Sequence, residues 1–145
     1  VSQSLDVNVL LYASDRDSPF HEAARRVIEE LSRGTELTFV AWVTVLSYLR
    51  MATHPGIFRR PLLMNEAAAN MTAFLSLPSV RVLSEADDFW QVFLSVIGEV
   101  PVRGNLVPDA HLVAILRQHG IRRVVTGDRD FLKFRNVDVI DPFGA

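Results

Sequence analysis

The sequence predicts an α/β fold: a parallel sheet covered on both faces by helices. Two observations carry this. Short apolar runs alternate with longer segments of helical character along the whole chain. The runs are also continuously apolar instead of alternating, as strands buried on both faces must be.

In chain order, Leu5–Ala13 is an apolar run interrupted by Asp6 and Asn8, long enough for a short buried strand and a helical turn. Ser18-Pro19 reads as cap and first helical residue of a helix through Phe20–Arg33, closed by Gly34. Leu37–Val40 is the second strand. Ala41–Thr53 is a mostly apolar helix stopped by His54-Pro55-Gly56, and Asn65 is placed to cap a helix over Glu66–Leu77. Val80–Leu83 is the third strand. Asp87–Val100 is a helix expected to turn Phe89, Trp90, Phe93, Leu94 and Ile97 inward. After a loop over Pro101–Leu106, Pro108–His119 is a helix with Gly120 at its C-terminal cap. Arg123–Thr126 is the fourth strand, Asp128–Phe134 a short helix or turn, and Val137–Ile140 the fifth strand.

The 145 residues are the length of one domain, with 49% hydrophobic and 22% charged residues, a globular mixture. A single domain over 1–145 is expected. The absence of cysteine excludes disulfides and thiolate metal sites, so any metal must be held by oxygen or imidazole. No apolar run approaches the roughly 20 residues of a membrane span, and Val1-Ser2-Gln3-Ser4 has no basic leader character, so the expected place is the cytoplasm. The net charge of −2 supplies no general attraction to nucleic acid. Fourteen of the fifteen cations are Arg, which suits bidentate phosphate contact and equally follows from GC-rich coding.

Ligands of open parallel sheets sit beyond the carboxyl ends of the strands, where strand order reverses. Three acids fall at such places: Asp6 at the end of the first strand, Asp109 at the start of the helix leading to the fourth, and Asp128 just after the fourth. Taken singly, Asp109 could complement a helix dipole, Asp128 could cap the short helix, and Asp130 could be solvated. Asp6 is harder to dismiss, because an acid in an apolar run costs several kcal/mol to bury (on the order of 3 or more) unless a partner removes the penalty. A divalent cation does so, and oxygen ligands suit Mg²⁺ or Mn²⁺. Asn8 and Thr126 are placed to hydrogen-bond the acids. The four histidines, at 21, 54, 111 and 119, have no HExxH spacing, and neither a phosphate-binding glycine loop nor a G-x-S-x-G elbow occurs.

Three blocks then carry a family resemblance. Leu5-Asp6-Val7-Asn8-Val9-Leu10-Leu11-Tyr12-Ala13 resembles the opening block of PIN-domain proteins. Val107-Pro108-Asp109-Ala110-His111-Leu112-Val113-Ala114 resembles their third block, and Thr126-Gly127-Asp128-Arg129-Asp130-Phe131 their closing block. Arg103-Gly104-Asn105-Leu106 and Leu49-Arg50-Met51-Ala52-Thr53-His54-Pro55 resemble an actinobacterial VapC toxin subgroup. The resemblance spans nearly the whole chain in order and spacing. It implies a three-layer α/β/α sandwich with strand order 3-2-1-4-5 and a Mg²⁺- or Mn²⁺-dependent endoribonuclease, the toxin of a toxin–antitoxin pair. It also implies a VapB-type antitoxin partner whose tail enters the active-site groove, an RNA substrate and a homodimer. On that pattern Asp6 and Asp109 are the principal metal ligands, and Asp128 completes the set with Asp130 nearby. Asn8 and Thr126 support Asp6, while Arg103 and Arg129 are the candidate phosphate contacts. Apolar surface for a second copy or an antitoxin is expected on Phe58, Leu62 and Leu63 or on adjacent helices.

One position departs from the pattern. Where the family usually carries a Glu in the helix after the second strand, this chain has Ser47. Either water replaces the missing ligand, Asp130 compensates, or the enzyme is weak. The rival reading is therefore a catalytically weakened PIN-like module acting through antitoxin or RNA binding. A receiver-type phosphotransfer domain also gathers acids at strand ends, but it needs a Lys after a late strand. The one Lys here, Lys133, falls within a turn.

Overall fold

Asp6 is where a strand becomes a helix. Its backbone is extended (φ −87°, ψ 162°), and its own carboxylate accepts the Val7 N–H at 2.8 Å, capping the helix that follows. In the computed structural model, which describes residues 2–144, strand β1 is Gln3–Leu5 and helix α1 is Val7–Ser14. Most of the first apolar run is thus helix, longer than the single turn expected.

The remaining elements are α2 (His21–Arg33), β2 (Thr38–Ala41), α3 (Trp42–Ala52), α4 (Met64–Leu75), β3 (Val80–Leu83), α5 (Phe89–Ile97), α6 (Leu106–Gln118), β4 (Arg123–Val125), a 3-10 helix (Arg129–Lys133) and β5 (Asp138–Ile140). Local chemistry moved several boundaries. Helix α2 starts after Phe20, not at Pro19, while the Ser18 hydroxyl accepts the Phe20 N–H. Helix α4 is capped from within by Glu66, whose carboxylate accepts the Leu63 N–H at 2.9 Å, and not by Asn65. It stops at Leu75, before Leu77 and Pro78. Helix α6 begins two residues early, which puts Asp109 inside its first turn. At its other end the expected glycine cap forms: Gly120 has φ +69°, its N–H reaches the Arg117 carbonyl, and the Ile121 N–H reaches that of Leu116. This is the paired closure that a left-handed residue permits.

The five strands form one sheet, all parallel, in the order β3-β2-β1-β4-β5. Neighbouring residues on a strand serve opposite cores. Val125 joins Leu5, Val9, Val40 and Tyr48 under α1–α4, whereas Val124 joins Val96, Val113 and Ile115 under α5 and α6. The architecture is therefore the three-layer α/β/α sandwich. Register matters most between β1 and β4: Leu5 pairs with Val125, and the Asp6 N–H continues the ladder onto the Val125 carbonyl at 3.1 Å. Asp6 and Thr126, 120 positions apart, thus emerge side by side.

Two expectations about surfaces are corrected. Trp90 and Leu94 face outward, 59% and 46% exposed, while Val96 is the fully buried residue of α5. Gln91 and Ser95, one turn apart, mark the exposed face of this nine-residue helix, and Trp90 and Leu94 lie beside them on it. Phe58 is buried at 3% exposure and Leu62 is half-buried against the same core; of that trio only Leu63 lies open, at 67%. The other large apolar side chains exposed on helices include Trp42 and Leu46 of α3 and Met64 of α4. No helix among the described residues is long and apolar enough to cross a membrane.

Candidate metal centre at the carboxyl ends of β1 and β4

Beyond the ends of β1 and β4 lies a cavity of about 360 Å³ lined by Asp6, Asn8, Tyr12, Met51, Asp109 and Asp128, among others. Three elements bring the acids there: the cap of α1, the first turn of α6, and the segment between β4 and the 3-10 helix.

Asp6 is the floor. Its side chain lies within the protein, and both oxygens are engaged. Oδ1 accepts the Val7 N–H; Oδ2 accepts the Thr126 hydroxyl at 2.8 Å and the Asn8 amide at 3.2 Å. Thr126, fully buried, is saturated in turn: its oxygen also accepts the Asn8 amide and the Asp128 N–H, each at 2.9 Å. Asn8 Oδ1 then accepts the Gly127 N–H at 3.2 Å. One hydroxyl and one amide therefore tie the start of α1 to the segment carrying Asp128. The two supporting residues expected from the sequence meet Asp6 directly.

Asp109, Asp128 and Asp130 stand above this floor, and each offers an oxygen within 4.8 Å of the others. Asp128 Oδ1 accepts the Asp130 N–H at 2.9 Å, which fixes the pair, and Asp130 also meets Lys133 at 3.1 Å. The closest grouping thus differs from the expected ligand set of Asp6, Asp109 and Asp128. Asp130 joins it, and Asp6 lies behind with its oxygens turned to hydrogen-bond donors. Ser47 is half-buried on α3, one helical turn before Met51, which lines the cavity. Arg103 and Arg129 lie at the surface, Arg103 in the loop before α6 and Arg129 at the start of the 3-10 helix.

Like charges crowd one another here. Burial raises the Asp6 carboxyl above the ordinary aspartate range; the Thr126 and Val7 hydrogen bonds oppose that, and the charge of Asp128 adds to it. Asp109 is pushed up to about 7, first by burial and then by the charges of Asp128, Asp6 and Asp130, with Lys133 pulling the other way. A divalent cation among Asp109, Asp128 and Asp130 would relieve this repulsion, and an all-oxygen donor set of this kind suits Mg²⁺ or Mn²⁺. The residues present fit the ion.

Several lining residues were not assigned to the site from the sequence. Tyr12 and Met51 lie within blocks that carry the resemblance, but neither they nor Ile57 were given a place at the site. Gly127 lay within the closing block, though nothing in the sequence marked its contact with Asn8.

In a parallel α/β sandwich, carboxylates gathered where the strand order reverses mark a ligand site whose donors suit a divalent cation. Comparison with known proteins narrows the reading. The family model described as "PIN domain" matches residues 4–137, and the chain belongs to that family. It is 45% identical over 145 residues, the whole of both chains, to ribonuclease VapC48 of Mycobacterium tuberculosis. To ribonuclease VapC37 of the same organism it is 32% identical over 133 residues, 92% of each chain. Among solved structures, VapBC2 of Rickettsia felis, in complex with a promoter DNA fragment, superposes with a TM-score of 0.71 at 12% identity, covering 97% of this chain and 98% of the other. VapC20 of M. tuberculosis, a sarcin-ricin loop cleaving toxin, superposes at 0.67 with 18% identity, covering 93% and 98%.

Proposed function

We propose that this chain, acting as one PIN domain, is a VapC-type endoribonuclease that hydrolyses RNA phosphodiester bonds with Mg²⁺ or Mn²⁺. In this reading it is the toxin of a toxin–antitoxin pair and works in the cytoplasm. The observation that carries the reading is the meeting of Asp109, Asp128 and Asp130 above the buried Asp6 in a chain so similar to ribonuclease VapC48.

Asp109, Asp128 and Asp130 hold the cation, with Asp130 making up for the Glu replaced by Ser47. Held there, a divalent cation would supply Lewis-acid chemistry: polarising a phosphate oxygen, lowering the pKa of a water and stabilising the charge that develops during phosphodiester hydrolysis. The protein's own work is placement. Asp6, through Thr126 and Asn8, fixes the backbone of Gly127 and Asp128. Arg129, beside Asp128, and Arg103, before α6, contact the phosphates flanking the scissile bond. A VapB-type antitoxin inserts its tail into the acidic cavity, and Trp42, Leu46, Trp90 and Leu94 offer apolar surface for a second copy of the chain.

The test is cleavage of RNA by purified protein in Mg²⁺ or Mn²⁺, in EDTA, and by Asp128→Asn. Cleavage that needs the metal and disappears in the variant is the expected result. A folded, metal-supplemented protein that leaves every RNA intact would overturn the enzyme reading. It would favour a weakened PIN-like module that acts by binding antitoxin or RNA.

A further inference from the structure

We propose that Phe143 is a positioning residue for the acidic cavity: its ring clamps the Thr126–Asp128 segment against α1 and so sets where Asp128 stands over Asp6. The inference rests on the reading of that cavity as a metal-dependent site.

The segment between β4 and the 3-10 helix is held from one side by polar groups alone, through the Gly127 N–H to Asn8 and the Asp128 N–H to Thr126. On its other side stands an aromatic ring. A Cβ built on Gly127 would meet Phe143 Cδ2 at 2.8 Å and Cε2 at 3.4 Å, so the ring occupies the space that a side chain at 127 would take. Glycine is required here by close approach, not by φ.

The ring is itself anchored. It stands edge-on to Tyr12 with centroids 5.1 Å apart and lies 5.3 Å from Phe20, while Tyr12 and Phe20 are 5.2 Å apart. Such geometries are the favourable ones for aromatic pairs. Tyr12 belongs to α1 and lines the acidic cavity, so the cluster touches both walls of the site. The backbone beneath Phe143 is set by Asp141, whose Oδ1 accepts the N–H groups of Phe143 at 2.8 Å and Gly144 at 3.0 Å. The Ile140 carbonyl accepts the Thr126 N–H at 3.0 Å, so the segment leaving β5 begins already fastened to the loop it covers. Phe143 acts on the acids only through Gly127 and Tyr12.

A steric clamp of this kind implies non-additivity. Phe143→Ala removes the clamp. Gly127→Ala expels the ring and removes it by another route. In the double variant the methyl introduced at position 127 enters space already vacated, so nothing further is lost. The experiment measures Mn²⁺ binding to each folded protein by electron paramagnetic resonance, with no RNA present, and the apo melting temperature alongside. Each single variant should bind Mn²⁺ about ten-fold more weakly, the low end of what changes around a metal site produce, and the double variant no more weakly than Phe143→Ala. Val96→Ala, which opens the other core under α5, should lower the melting temperature and leave Mn²⁺ affinity unchanged.

Wild-type affinity in both single variants would overturn the clamp while leaving the nuclease reading intact. Additive losses in the double variant would overturn the steric account. Should Gly127→Ala alone fail to fold, recovery of folding in the double variant is the supporting outcome, and failure of both the overturning one. A wild-type protein that binds no Mn²⁺ would overturn the metal site and this inference together.

Discussion

Replacing Asp109 by Asn should make the metal-free protein more stable, although the substitution removes a site residue. Asp109 is half-buried and faces Asp128, Asp6 and Asp130, and its pKa is pushed from 3.8 to about 7. A displacement of about 3 units corresponds to about 4 kcal/mol as an upper bound. Solvent reaches the half-exposed group and screens it, which leaves on the order of 1–2 kcal/mol. The sign follows from linkage. Below pH 3.8 the carboxyl is protonated in both states and costs nothing. As pH rises the unfolded chain ionises first, so stability is lost progressively and the loss is complete above about pH 7. For a chain of 145 residues, 1 kcal/mol moves the melting temperature by about 3 °C. In EDTA at about pH 8, Asp109→Asn should therefore melt about 3–6 °C above wild type, and the gap should close as the pH is lowered towards about 4. Millimolar Mg²⁺ or Mn²⁺ should raise the wild-type melting temperature by mass action and move the variant less. Equal or lower stability of the variant in EDTA at the alkaline end, or a gap that widens on acidification, would refute the argument from burial and like charges.

Two further outcomes are expected. Thr126→Val keeps the shape of a fully buried side chain but strips a donor from Asp6 and an acceptor from Asn8 and the Asp128 N–H, so it should cost about 2–3 kcal/mol; a urea titration with an unchanged midpoint would contradict the network. Ser47→Glu places a fourth carboxylate one turn from Met51, and should tighten Mn²⁺ several-fold while lowering metal-free stability at alkaline pH; calorimetry showing no gain in affinity would mean that position 47 does not reach the ion.

Much of the acidic site was legible because its members sit in local patterns. Asp6 interrupts an apolar run, Asp109 lies in the first turn of α6, and Asp128 follows β4. Each position can be read from a few neighbours. What was not legible is which oxygens come closest. The sequence placed Asp6 among the direct ligands and Asp130 beside them, whereas the geometry gathers Asp130 with Asp109 and Asp128 and turns Asp6 towards Thr126 and Asn8. That outcome depends on side-chain rotamers and on competition between a cation and hydrogen-bond donors for the same oxygens.

The same division runs through the fold. Strand and helix alternation, the glycine closure after α6 and the acids at strand ends follow from short-range chemistry: apolar periodicity, caps and φ preferences act within a few residues. The β1–β4 register that sets Asp6 beside Thr126, the outward turn of Trp90 and Leu94, the burial of Phe58 and the ring of Phe143 over Gly127 belong to the tertiary structure. Each is decided by packing between segments far apart in the chain, where many side chains compete for one volume and no local pattern records the winner.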